Sequence, residues 1–145
     1  MEQSYKKETK NLNQSLKKLP KKYRDLVKGF EFRFLDGSAL ENDPEHIGYK
    51  IDSPKVIAVA GPWHYGREFT LFHEIGHLVW ERLLDDVHKK DWKRIVDSTE
   101  GKRQHQGIEE MFCMSFANYY VKNKMVIHDH PEWQEFMKKL NSSIK

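Results

Sequence analysis

The sequence predicts an α+β fold: a small mixed sheet of about three strands packed on one long helix, with a helical C-terminal half and a helical N-terminal arm. Three observations predict it. Short runs of alternating or β-branched apolar residues fall between residues 30 and 60, apolar residues recur at helical spacing from residue 67 onward, and the first 28 residues are polar, basic and helix-prone.

Each element follows from local chemistry. Residues 3–19 carry one thin apolar stripe, Leu12, Leu16 and Leu19, so a polar helix is expected. Pro20 suits the first turn of a second short helix that should stop at Gly29. Residues 30–35, FEFRFL, alternate like a half-buried strand, and Asp36-Gly37 signals a turn. Residues 49–52 and 56–60 read as two further strands, after which Gly61-Pro62 breaks the chain. The helical pattern then runs over 67–84, and further helices are expected at about 92–96, 108–122 and 132–140. Pro131 fits the first turn of the last one, behind Asp129 or His130 as cap.

The whole chain narrows the function classes. Its 145 residues, 38% hydrophobic with 18 aromatics, suffice for one globular unit with a real core, divided as a basic helical arm over 1–28 and a main domain over 29–145. No apolar run is long enough to span a membrane. No apolar signal core follows Met1, so the chain as written is expected in the cytoplasm, or outside the cell if a leader has been removed. The lone Cys113 has no internal disulfide partner and agrees with a reducing compartment. The net charge of +3 divides unevenly: nine Lys/Arg against Glu2, Glu8 and Asp25 make residues 1–28 +6, and the remainder is −3. Such an arm is a solvated helix face or a contact for an acidic partner. It lacks the aromatic interleaving that stacks bases, so nucleic acid is not an expected partner.

The chemistry concentrates in TLFHEIGHLVW, residues 70–80. His73 and His77, four apart on a helix, point the same way and can grip one ion. Leu71, Phe72, Ile75, Leu78 and Val79 surround them, and burying three polar groups in such a setting is expensive without a metal. Gly76 costs the helix ~1 kcal/mol against Ala, which implies close packing there. Neutral imidazoles suit zinc, a catalytic zinc keeps one position for water, and Glu74, next to a ligand, is placed to act as general base. One Zn2+ per chain is therefore expected. A third ligand is sought in residues 107–121, GIEEMFCMSFANYYV, an apolar helical segment that carries Glu109 and Glu110 side by side. Periodicity leaves the choice between them open: Glu109 shares a face with Cys113, Phe116 and Tyr120, and Glu110 with Met114, Ala117 and Val121. The other carboxylate is expected in a supporting role.

Three stretches, in order, carry a resemblance: His73-Glu74-Ile75-Gly76-His77, then Glu110-x-Phe112-x-x-x-Phe116, then Pro131-x-x-x-x-Phe136. Together they resemble the catalytic domain of the anthrax lethal factor and Pro-Pro endopeptidase family, over roughly residues 47–140. The resemblance implies a toxin-like zinc endopeptidase of the gluzincin type, with His73, His77 and Glu110 as metal ligands and Glu74 as base on the active-site helix. It also implies a peptide substrate bound in extended form against the strand at 56–60, by β-augmentation. The family's motif places a tyrosine seven positions before the glutamate ligand, where it holds the oxyanion. This chain has Arg103 there, and His105 is the nearest substitute donor.

Residues 67–79, REFTLFHEIGHLV, are also similar to the ImmA/IrrE metallopeptidases, which implies the same zinc chemistry directed at a repressor. A third alternative is a non-catalytic zinc-containing binding module, disfavoured because structural zinc sites take four protein ligands. His128-Asp129-His130 reads as cap and loop, Cys113 as a small core residue, and His64-Tyr65 equally as a polar turn or a cleft lining.

Overall fold

A computed structural model describes residues 13–36, 48–52, 55–61, 67–100, 107–121 and 130–144, with side chains for 13–31, 68–99, 107–121 and 130–144. Residues 13–16 are helical and are labelled α1. Pro20, extended at φ −53° and ψ 150°, opens the short helix α2 (Lys21–Arg24). A 3-10 turn, Asp25–Val27, follows, and Gly29 reverses the chain at φ +85°, a conformation costly for any residue with a Cβ.

The backbone then forms three strands, β1 (Glu31–Asp36), β2 (Gly48–Asp52) and β3 (Lys55–Gly61). They pair in the order β1-β3-β2, with β1 parallel to β3 and β2 antiparallel to it. β3 is thus central. Both of its edges are hydrogen-bonded, β1 from Glu31↔Val56 to Asp36↔Gly61 and β2 from Gly48↔Val59 to Asp52↔Lys55. This corrects the expectation that a peptide pairs with residues 56–60: over 56–59 the strand is bonded on both sides and offers no free edge.

Four helices complete the chain: α3 (Arg67–Arg82), α4 (Asp86–Glu100), α5 (Ile108–Tyr120) and α6 (Pro131–Ser143). The α+β class is corrected to a mainly helical one. Among residues whose side chains are described, 81% are helical, and Glu31 is the one strand residue among them. Strand signals locate extended backbone but do not measure how much core it carries. The described core comes from apolar stripes at helical spacing: Phe72, Ile75, Leu78 and Val79 on α3, Trp92 and Val96 on α4, and Trp133, Phe136, Met137 and Leu140 on α6. α5 is buried nearly all round, with Phe112, Cys113, Phe116 and Ala117 inaccessible to solvent. The helix of α4 also extends well beyond the expected 92–96. Asp85 caps it, accepting a bond from the His88 backbone N–H at 2.8 Å, and charged residues fill its outer face.

An aromatic cluster ties these helices together. Trp92 meets Phe112, Trp133 and Phe136 at ring separations of 5.8, 5.3 and 5.1 Å, within the range where edge-on and offset pairs add to area burial. Both buried indole N–H groups are satisfied: Trp92 donates to the Ile108 carbonyl and Trp133 to the Thr99 hydroxyl, each at 2.9 Å. The basic N-terminal segment joins the same body. Leu19, Tyr23 and Val27 are buried, Ser15 and Lys18 bond Glu68 in the first turn of α3, and Lys22 donates to the Asn141 and Ile144 carbonyls where α6 ends. No helix among the described residues is long and apolar enough to cross a membrane.

α3 and α5 approach each other closely. A Cβ built on Gly76 would lie 3.0 Å from the Cα of Cys113 and 3.2 Å from its Cβ. Gly76→Ala should therefore destabilise the protein, by about 1–3 kcal/mol of overpacking, against the ~1 kcal/mol that alanine otherwise adds to a helix. Urea unfolding checks this, and a more stable variant would refute the close approach.

Candidate metal centre

The site grows out of that helix crossing. On α3, His77 follows Gly76 directly and His73 lies one turn before it. On α5, Glu109 and Glu110 lie one turn before Cys113. Contact at Gly76 and Cys113 therefore sets both imidazoles opposite both carboxylates. The start of α5 is held in place by two features: Gly107 turns the chain at φ +86°, and Trp92 bonds the Ile108 carbonyl.

The resulting geometry is compact. One carboxylate, Glu110, meets both histidines: Oε2 lies 3.0 Å from His73 Nε2 and Oε1 lies 2.9 Å from His77 Nε2. Glu109 reaches the opposite end of the second ring, with Oε2 2.6 Å from His77 Nδ1. The two imidazoles sit edge to face, 5.3 Å between centroids. Both histidine side chains are more than four-fifths buried, and both glutamates remain about 40% exposed, so the group opens to solvent on the α5 side.

Electrostatics follow from the geometry. Burial pulls the His77 pKa down, but bonds to Glu110 and Glu109, with the Glu74 charge nearby, outweigh it and raise the group to about 9. The bonds from His73 and His77 hold the Glu110 carboxyl well below the usual carboxylate range. Cys113, behind the carboxylates, has its thiol pushed up by burial first and by the charges of Glu110 and Glu109 second.

The donor set fits a zinc ion. One ligand atom each from His73, His77 and Glu110 can be chosen so that all lie within 4.8 Å of one another, and tetrahedral coordination at ~2.1 Å calls for ligand atoms about 3.4 Å apart. Two imidazole nitrogens and one carboxylate oxygen make a donor set of the kind that three-ligand zinc sites use, with a fourth position for water. Glu74, buried at 7% exposure, stands between the two histidines in sequence on α3.

The sequence-derived residues thus divide. His73, His77, Glu109 and Glu110 come together, and Glu74 is on the same helix. His105 lies outside the described residues, as do Arg103, His64, Tyr65, His128 and Asp129. His130 is at the cap of α6, its ring 4.9 Å from Trp133. Sequence reasoning missed Trp92 as the anchor of α5; its only signal was a single large apolar residue inside the charged run 89–94. It also missed the link between helix ends in which His88 contacts Asp85 Oδ1 and Ser143 Oγ, each at 3.1 Å.

The packing behind the site gives a direct check. A thiol that is buried and held protonated is inert, so Cys113 in the native protein should react with a disulfide reagent only at the rate of unfolding, and immediately in denaturant. Stopped-flow absorbance measures both, and fast labelling of native protein would mean that α3 and α5 do not seal the region.

Comparison of the chain with protein-family models, with curated proteins and with solved structures finds no match.

Proposed function

We propose that this protein is a zinc-dependent endopeptidase. The observation that carries the proposal is the convergence of His73 Nε2, His77 Nε2 and the Glu110 carboxylate on one point, with a buried glutamate between the two histidines on the same helix. His73, His77 and Glu110 would hold the metal. Zinc supplies there a Lewis acid that polarises a carbonyl and brings the pKa of a water to about 7.

The remaining work falls to the chain. Glu74 accepts the proton of the attacking water and delivers it to the leaving amine nitrogen, so one carboxylate serves both halves of the hydrolysis. The substrate is a peptide in extended form, as the lethal-factor-like motifs imply, and because β3 is paired on both sides its main chain is bound elsewhere than on that strand. His105 is the proposed oxyanion donor, from its position five residues before Glu110.

The test combines metal analysis with a peptide-library digest read by mass spectrometry. Wild type should hold one zinc per chain, and Glu110→Ala and His73→Ala should hold none. Glu74→Gln should keep the zinc and lose roughly 100 to 10,000-fold in cleavage rate, the range attributed to a positioned general base. Full activity in Glu74→Gln would sink the mechanism. A zinc-loaded wild type that cleaves a repressor but no library peptide would favour the ImmA/IrrE-like alternative, and one that cleaves nothing would favour a binding module.

A further inference from the structure

We infer that Glu109 is a positioning residue for the metal centre, gripping Nδ1 of His77 so that Nε2 is the nitrogen presented to the ion. The inference rests on the metal-binding reading above and extends it to a residue for which sequence periodicity left the role open.

The argument starts from what an imidazole can do. Its neutral form has one N–H donor and one acceptor nitrogen, and whichever nitrogen donates is lost as a ligand. A carboxylate only accepts. Each nitrogen of the His77 ring faces a carboxylate, Nδ1 meeting Glu109 Oε2 at 2.6 Å and Nε2 meeting Glu110 Oε1 at 2.9 Å, so when Nε2 and Glu110 turn to one ion the proton left on the ring is on Nδ1, with Glu109 in place to accept it. Adjacent residues on a helix point about 100° apart, which lets Glu109 and Glu110 approach the two ends of one ring. The side-by-side pair therefore holds a single imidazole from both sides, and that accounts for two acidic residues in an otherwise apolar helix. Glu109 is itself well placed to stay put. It follows Ile108, whose carbonyl Trp92 holds, and it is one turn before Cys113, which packs on Gly76.

Two consequences follow for the ion. Rotation of the His77 ring, which would swing Nε2 away from His73 and Glu110, breaks the bond to Glu109. A carboxylate on the far nitrogen also makes Nε2 a more basic ligand. Removal of such partners typically costs 10 to 100-fold in metal affinity.

The experiment measures zinc affinity by competition with a chromophoric chelator, and the His77 nitrogens by long-range 1H–15N NMR on the zinc-loaded protein. Wild type should show a proton on Nδ1 of His77 and the metal-ligand shift on Nε2. Glu109→Ala should weaken zinc binding roughly 10 to 100-fold, and Glu109→Gln, whose amide oxygen still accepts from Nδ1, should recover most of it. The inference is overturned if Glu109→Ala binds zinc as tightly as wild type, or if wild-type His77 carries its proton on Nε2. That second readout needs no variant, so it decides the matter even where Glu109→Ala fails to fold. A wild type that binds no zinc overturns the metal-binding reading itself, a different result from loss of the Glu109 role alone.

Discussion

The distance between α3 and α5 is the constraint on which the rest depends. Helices usually pack 8–10 Å apart, at a spacing set by the side chains in the contact. A glycine at position 76 lets the backbone of Cys113 come so near that a single methyl group would touch it. His73 and His77 on one helix and Glu109 and Glu110 on the other can meet because their backbones are that close. The helical propensity sacrificed at Gly76 is thus exchanged for the geometry of the site.

The surrounding structure stabilises that crossing from several directions. Trp92 and its aromatic neighbours press α4 and α6 against the outer side of α5, and the indole bond to Ile108 fixes where α5 begins. Ser15 and Lys18 fasten the N-terminal segment to Glu68, five residues before His73, and Lys22 fastens it to the end of α6. Exposed ion pairs such as Lys18 with Glu68 contribute little individually. The buried side chains beneath them, Leu19, Tyr23 and Val27, give the segment its hold on the core.

Much of the site was legible in the sequence because its signal is short-range. The spacing of His73 and His77, the buried context of Glu74 and the unusual glycine between the histidines are all properties of one helix, and helix geometry converts them to a common face. The choice between Glu109 and Glu110 was not legible in the periodicity, and rested on the resemblance alone, because both are on one turn and their roles depend on the direction from which α3 approaches. The balance of the fold was misjudged for a related reason. FEFRFL and its neighbours advertise strands loudly, whereas the stripes of α4 and α6 are diluted by charged residues such as Lys93, Arg94, Lys138 and Lys139 and read quietly, although Trp92, Val96, Trp133, Phe136, Met137 and Leu140 are buried. The pairing of β3 on both sides was equally hidden, since strand order is a long-range property that alternation does not encode.

The central claim is that His73, His77 and Glu110 form one metal centre across the α3–α5 contact. Anomalous diffraction from crystals of the zinc-loaded protein, recorded on both sides of the zinc absorption edge, tests it most directly. The account predicts one strong peak per chain, within about 2.0–2.2 Å of both Nε2 atoms and of a Glu110 oxygen. A peak bound to Glu109 in place of Glu110, or no peak between these helices, would contradict it.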